Sequence, residues 1–181
     1  MANKHLPSPE VLRQLLSYDP ETGKLFWKER PRGAFTSQRA CSTWNAQRAG
    51  KEAICNLDSD GYRQGGILGR MYKAHRVIWA MVYGAWPVSQ VDHINCDKSD
   101  NRLCNLRAAT NAQNRRNVGP NANNSTGLKG VCRDKSKGKW KAHITVDGVK
   151  MHLGYFSDAS EASEAYRQAA DRLHQEFART V

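Results

Sequence analysis

Between Val91 and Asn117 the chain reads VDHINCDKSDNRLCNLRAATNAQNRRN, with six Asn, four Arg and three Asp. So few side chains here are apolar that burial alone cannot hold the segment. Asp92 and His93 are adjacent, and two amides, Asn105 and Asn114, follow. One carboxylate with one amide carbonyl makes a sparse, hard-oxygen site. That suits Mg²⁺, or another divalent ion such as Mn²⁺, which keeps several waters and takes further ligands from phosphate oxygens. A neutral imidazole beside such an ion can accept a proton from water and direct it at phosphorus. Arg107, Arg115 and Arg116 could hold the phosphodiester.

Convergence of these groups needs a frame. Val91–Asn95 reads as a strand, Asp97–Asn101 as a turn, and Leu103–Arg107 as the returning strand. Thr110 then caps a helix, with Gln113 at capping-box spacing and Asn114 in the first turn. Asp97, Asp100 and Asn101 are assigned to the turn. Cys96 and Cys104 lack a second pair to make a zinc site, so they read as ordinary thiols.

The motif D-H-I-N-x-D-x-x-D-N-R-x-x-N-L-R, followed by T-x-x-x-N-R-R-N, resembles the HNH endonucleases of the ββα-metal (His-Me finger) fold. It is similar above all to phage homing enzymes. The resemblance implies that Asp92 and Asn114 bind the metal and His93 is the general base. It further implies that Asn105 braces the hairpin and fixes the backbone around His93. Upstream, AHRVIWAMVYGAWPVSQ resembles the helix and loop that lead into this motif. Cys96 stands where Gly is usual.

Before the motif, residues 9–17 read as a short helix capped by Ser8, and 24–28 as a strand. Residues 29–50 carry no clear period. A strand near 52–57, a turn at 58–61, a strand over 62–68 and a helix ended by Gly84 and Pro87 complete this half. After the motif, 118–127 is a polar stretch with both Gly and Pro. Strands follow near 129–133, 139–146 and 149–155, the last two joined by Asp147-Gly148, then a helix over 158–177. The fold expected is α+β, divided as a scaffold (1–90), the site motif (91–118), a linker (119–127) and a sheet-plus-helix module (128–181).

In that module Trp140, Ala142, Ile144 and Val146 alternate with Lys139, Lys141, His143 and Thr145. Val149, Met151, Leu153 and Tyr155 alternate with Lys150, His152 and Gly154. Ala162, Tyr166, Ala169, Leu173 and Phe177 give the helix its apolar face. The uncovered sheet face carries cations and imidazoles: seven Lys/Arg against two Asp stand between Lys129 and Lys150. Such a face can enter a major groove. These residues also resemble the DNA-binding domain of plant ethylene-response factors (the AP-two/ERF type) over roughly 127–179. By that resemblance Lys129, Lys139, His143, Thr145, Lys150, His152 and Tyr166 occupy contact positions; Arg133 and Lys141 join them on charge. Cys132, His143, Thr145 and His152 depart from the family pattern, so no target sequence carries over.

The whole chain has 181 residues, 28 Lys+Arg and 17 Asp+Glu, a net charge of +11. A polyanion is the partner this predicts, double-stranded DNA first. The longest apolar run, Val77–Trp86, is too short to span a bilayer. The first residues lack the apolar core of a signal peptide, so the expectation is cytoplasmic and not secreted. One metal site implies nicking, or double-strand cutting by a homodimer on DNA. Two other readings stand beside the nuclease: a DNA-binding regulator with a non-catalytic HNH remnant, and a basic RNA-binding or assembly protein.

Overall fold

The computed structural model describes residues 6–117, 119, 124–174 and 177. The fold is α+β, and the chain forms two compact units, Met1–Ala108 and Ala109–Val181.

The first unit begins with α1 (Pro9–Leu15), whose first turn is closed by Ser8 Oγ accepting from the Val11 N–H. The chain leaves it directly into β1 (Leu16–Asp19), which pairs antiparallel with β2 (Lys24–Trp27). The Asp19 carboxylate closes the intervening turn through Glu21 and Thr22. Residues 29–50 hold a 3₁₀ turn at Arg32–Ala34 and α2 (Gln38–Arg48), capped by Ser37. Only Cys41 of α2 is buried, which is why no apolar period announces it. Asn45 instead grips both backbone groups of Arg30, while the Arg30 guanidinium lies 4.1 Å from the Trp44 ring centre.

The segment expected as one strand near 52–57 is two. β3 (Glu52–Ala53) joins β2, whereas β4 (Asn56–Leu57) joins β5 (Arg63–Ile67) in another sheet. Ile54, at φ 55°, makes the break. β6 (Arg70–Lys73) pairs with β5 and runs straight into α3 (Ala74–Tyr83), which Gly84 ends in the left-handed conformation. Leu12, Leu16, Leu25, Ile67, Val77, Ile78, Val91 and Leu106 form the core that seats α3. Onto it fold β7 (Gln90–His93) and its partner β8 (Leu106–Ala109), after a 3₁₀ turn at Leu103–Asn105 that replaces the first half of the expected strand.

The second unit starts with α4 (Asn111–Asn117) and continues as a sheet ordered β11-β10-β9: β9 (Val131–Asp134), β10 (Lys139–Val146) and β11 (Val149–Phe156). α5 (Ala159–His174) packs on it through Ala162, Tyr166, Ala169 and Ala170. Asp147 and Gly148 both have positive φ, as the tight turn between β10 and β11 requires. His174, not Leu173, turns inward at the end of α5; Leu173 is 39% exposed. Residues 1–5, 118, 120–123, 175, 176 and 178–181 lie outside the described residues, and with them part of the expected linker and part of the last expected helical turn.

Candidate active site

β7 ends in the Asp92–His93 pair, and both side chains are buried, at 5% and 3% exposure. Across the hairpin, the Ile94 N–H donates to the Asn105 carbonyl at 2.9 Å, fixing the register at the histidine. The Asn105 side chain works on both sides of the loop: Oδ1 accepts from the Asn95 N–H at 2.9 Å, and Nδ2 donates to the Asp100 carbonyl at 2.8 Å. Asn105 therefore acts on backbone rather than on a reacting atom. Within the loop, Asp97 accepts from the Ser99 N–H and hydroxyl, and Asp100 takes a two-pronged pairing with Arg102. That pairing, above all, holds the Asp100 carboxyl down to about 2. Cys96 adopts φ 64°, the left-handed conformation that glycine takes most readily.

His93 is enclosed by rings and an amide. Its Nε2 lies 3.0 Å from Asn101 Oδ1, its ring centre 5.1 Å from that of His75 and 5.9 Å from that of Tyr62. Burial lowers its pKa below the ordinary imidazole value, although the Asn101 bond and the Asp92 charge pull the other way. His75, also buried, is pushed down to about 3 by desolvation and then by His93. Both rings are thus neutral at neutral pH. In the sequence Asn101 reads as a turn residue and His75 and Tyr62 show no role; only their contacts with His93 reveal them.

Asp92 is met by Arg107: Nε and Nη2 reach its Oδ2 at 2.9 and 2.8 Å. Arg107, expected on a phosphodiester, thus bonds the carboxylate expected on a metal. The pairing aims Asp92 and balances its charge in a buried setting.

In the second unit, Thr110 and Gln113 close a capping box at 2.8 and 3.2 Å, starting the helix that carries half-buried Asn114. Arg115 is exposed, while Arg116 pairs with Asp147 at 2.7 Å and its carbonyl accepts from Lys129 Nζ. The sheet face presents Lys139, Thr145, Lys150 and His152 to solvent, with Lys141 and His143 half-buried. Arg133, expected among them, is exposed but pairs in register with Trp140 and so lies on the opposite face, its guanidinium 5.4 Å from the Trp140 ring centre. A bulge corrects the expected alternation. Ala142 pairs with Gly154 but His143 with His152, so Leu153 is the extra residue. Beyond it, Phe156 joins the core and Tyr155 moves to the cationic face, where Lys137 lies 3.9 Å from its ring centre. Tyr166, expected at a contact position, is 7% exposed and packs with Ile144 in the core.

The carboxylate of Asp92 and the amide of Asn114 are hard oxygen donors that fit Mg²⁺ chemically. Among the described residues no cluster of three or more His, Cys, Asp or Glu gathers to offer a softer or more crowded site. No helix among them is long and apolar enough to cross a membrane.

An HNH endonuclease family model matches residues 72–116. Protein 3.8 of Escherichia phage T7 is 31% identical over 114 residues, spanning 61% of this chain and 93% of that protein. An uncharacterized HNH endonuclease of Acanthamoeba polyphaga mimivirus is 33% identical over 124 residues, 67% of this chain and 63% of that one. Among solved structures, the HNH homing endonuclease I-HmuI aligns with 88% of this chain and 85% of its own. Its TM-score is 0.38 at 18% identity, too loose for residue equivalences.

Proposed function

The chain belongs to the family of phage T7 protein 3.8 and carries an HNH endonuclease domain, and from that premise we propose that it is a metal-dependent DNA endonuclease hydrolysing phosphodiester bonds. The observation that supports this most is the buried Asp92–His93 pair at the end of β7, its imidazole kept neutral and its strand braced by Asn105. His93 takes a proton from a water molecule as that water's oxygen attacks phosphorus, and the departing oxygen leaves with the bonding pair. Asp92 and Asn114 would hold a divalent ion, Mg²⁺ or Mn²⁺, which when bound offsets charge on the leaving oxygen. Arg115, exposed on α4, supplies a guanidinium group for the phosphodiester, while Arg107 and Arg116 are engaged by Asp92 and Asp147.

The cationic face of the C-terminal sheet, with Lys139, Lys141, Thr145, Lys150 and His152 and with His143 half-buried beside them, is the proposed contact with double-stranded DNA. Its alternating basic residues, and their resemblance to an AP-two/ERF domain, support this. Supercoiled plasmid incubated with Mg²⁺ should give nicked circles, or linears if two copies act together, and chelator should stop the reaction. Intact plasmid under Mg²⁺ and Mn²⁺ alike, with binding retained, would favour the regulator reading, in which Arg107 permanently neutralises Asp92.

A further inference from the structure

We propose that Asn101 is a positioning residue that fixes which nitrogen of His93 is the base; the proposal rests on the nuclease reading above. Asn101 is fully buried. Its Nδ2 donates to the Ser99 carbonyl at 3.2 Å, and a carbonyl can only accept. The amide is therefore oriented with Oδ1 toward His93, 3.0 Å from Nε2. An oxygen there demands a donor, so the neutral ring carries its hydrogen on Nε2. The lone pair lies on Nδ1, and Nδ1 is the atom that takes the proton from water. The resulting imidazolium keeps its Nε2–H on Asn101, so the same bond serves both protonation states.

The scaffold holds Asn101 in turn. Tyr18 Oη of β1 donates to the Asn101 carbonyl at 3.1 Å. Gly23, in the β1–β2 turn, lies so close that a Cβ there would stand 2.6 Å from the Asn101 carbonyl carbon and 2.5 Å from the Arg102 nitrogen. The N-terminal hairpin thus reaches the reacting base through one amide. His75 and Tyr62 flank the ring and limit its rotation.

The test reads the tautomer directly, by long-range ¹H–¹⁵N correlation on the full ¹⁵N-labelled chain at a pH where His93 is neutral. The wild type should show hydrogen on Nε2. Asn101→Asp, which keeps an acceptor, should retain that form, whereas Asn101→Leu should populate the Nδ1–H form. In single-turnover plasmid cleavage, Asn101→Leu should lower the rate at least about tenfold with DNA affinity within about twofold, the range expected for an outer-shell partner. Hydrogen on Nδ1 in the wild type would overturn the proposal. So would Asn101→Leu with Nε2–H and an unchanged rate. Should Asn101→Leu fail to fold, the wild type and Asn101→Asp decide. Nε2–H in a wild type that cleaves no DNA would instead remove the nuclease reading, and the base role with it, while leaving the Asn101–His93 bond in place.

Discussion

Burial governs the two histidines that matter most, and its sign can be tested. Desolvation is the main cause lowering the His93 pKa, so the neutral base should persist below the usual imidazole value of about 6.5. The acid limb of single-turnover cleavage should therefore have its midpoint below that value; a midpoint at or above about 7 would contradict it. His75 affects stability instead. Its folded pKa of about 3 lies below the unfolded value, so the stability it confers is complete above about 6.5 and is lost as pH falls toward 3. Urea denaturation should show a slope of up to about 1.4 kcal/mol per pH unit in that window from this group alone, and His75→Phe should flatten it. Asp92, His93 and Asn105 were legible because their types and order are specific. Asn101 was not, since an Asn in a polar turn looks the same whether it faces solvent or an imidazole.

Among the elements, the hairpin turn and the first strand of the C-terminal sheet carry the sharpest backbone demands. Cys96 sits at φ 64°, a conformation that costs an L-residue about 1–2 kcal/mol. Cys96→Gly should raise stability by about 0.5–1 kcal/mol after the extra chain entropy of glycine is offset, measurable as a shift in urea midpoint. At Gly130 the reverse holds. With φ 70°, a Cβ would lie 2.3 Å from the Tyr166 ring and 2.5 Å from the His143 carbonyl oxygen. Gly130→Ala should destabilise the second unit by about 2 kcal/mol or more, seen as early loss of Tyr166 protection from solvent. Strong periods made α3, β10 and α5 readable in advance. The bulge at Leu153 was hidden because one inserted residue leaves no compositional trace, yet it exchanges the faces of Tyr155 and Phe156. α2 was hidden for the opposite reason, being polar nearly all round.

For the molecule as a whole, charge predicts behaviour that no single contact does. With a net charge of +11, binding to duplex DNA should weaken linearly in log–log salt plots, by about 0.9 in slope for each phosphate neutralised. Replacing Lys139, Lys141 and Lys150 together by Ala should reduce that slope by up to about 2.7 if each meets a phosphate; an unchanged slope would remove the sheet face from the interface. The site motif made the HNH endonuclease domain legible, and the basic composition is what points to the proposed DNA partner. The two compact units divide between Ala108 and Ala109, whereas the sequence points to its linker at 119–127. The central claim is that Asp92 and Asn114 hold a divalent ion for which His93 supplies the base. It is tested most directly by measuring Mg²⁺-dependent plasmid cleavage and DNA affinity together for Asp92→Ala, His93→Ala and Asn114→Ala. The account predicts that each variant loses cleavage by about a hundredfold or more while duplex affinity stays near the wild-type value. Full cleavage by any of the three, or loss of affinity in parallel with cleavage for all of them, would contradict it.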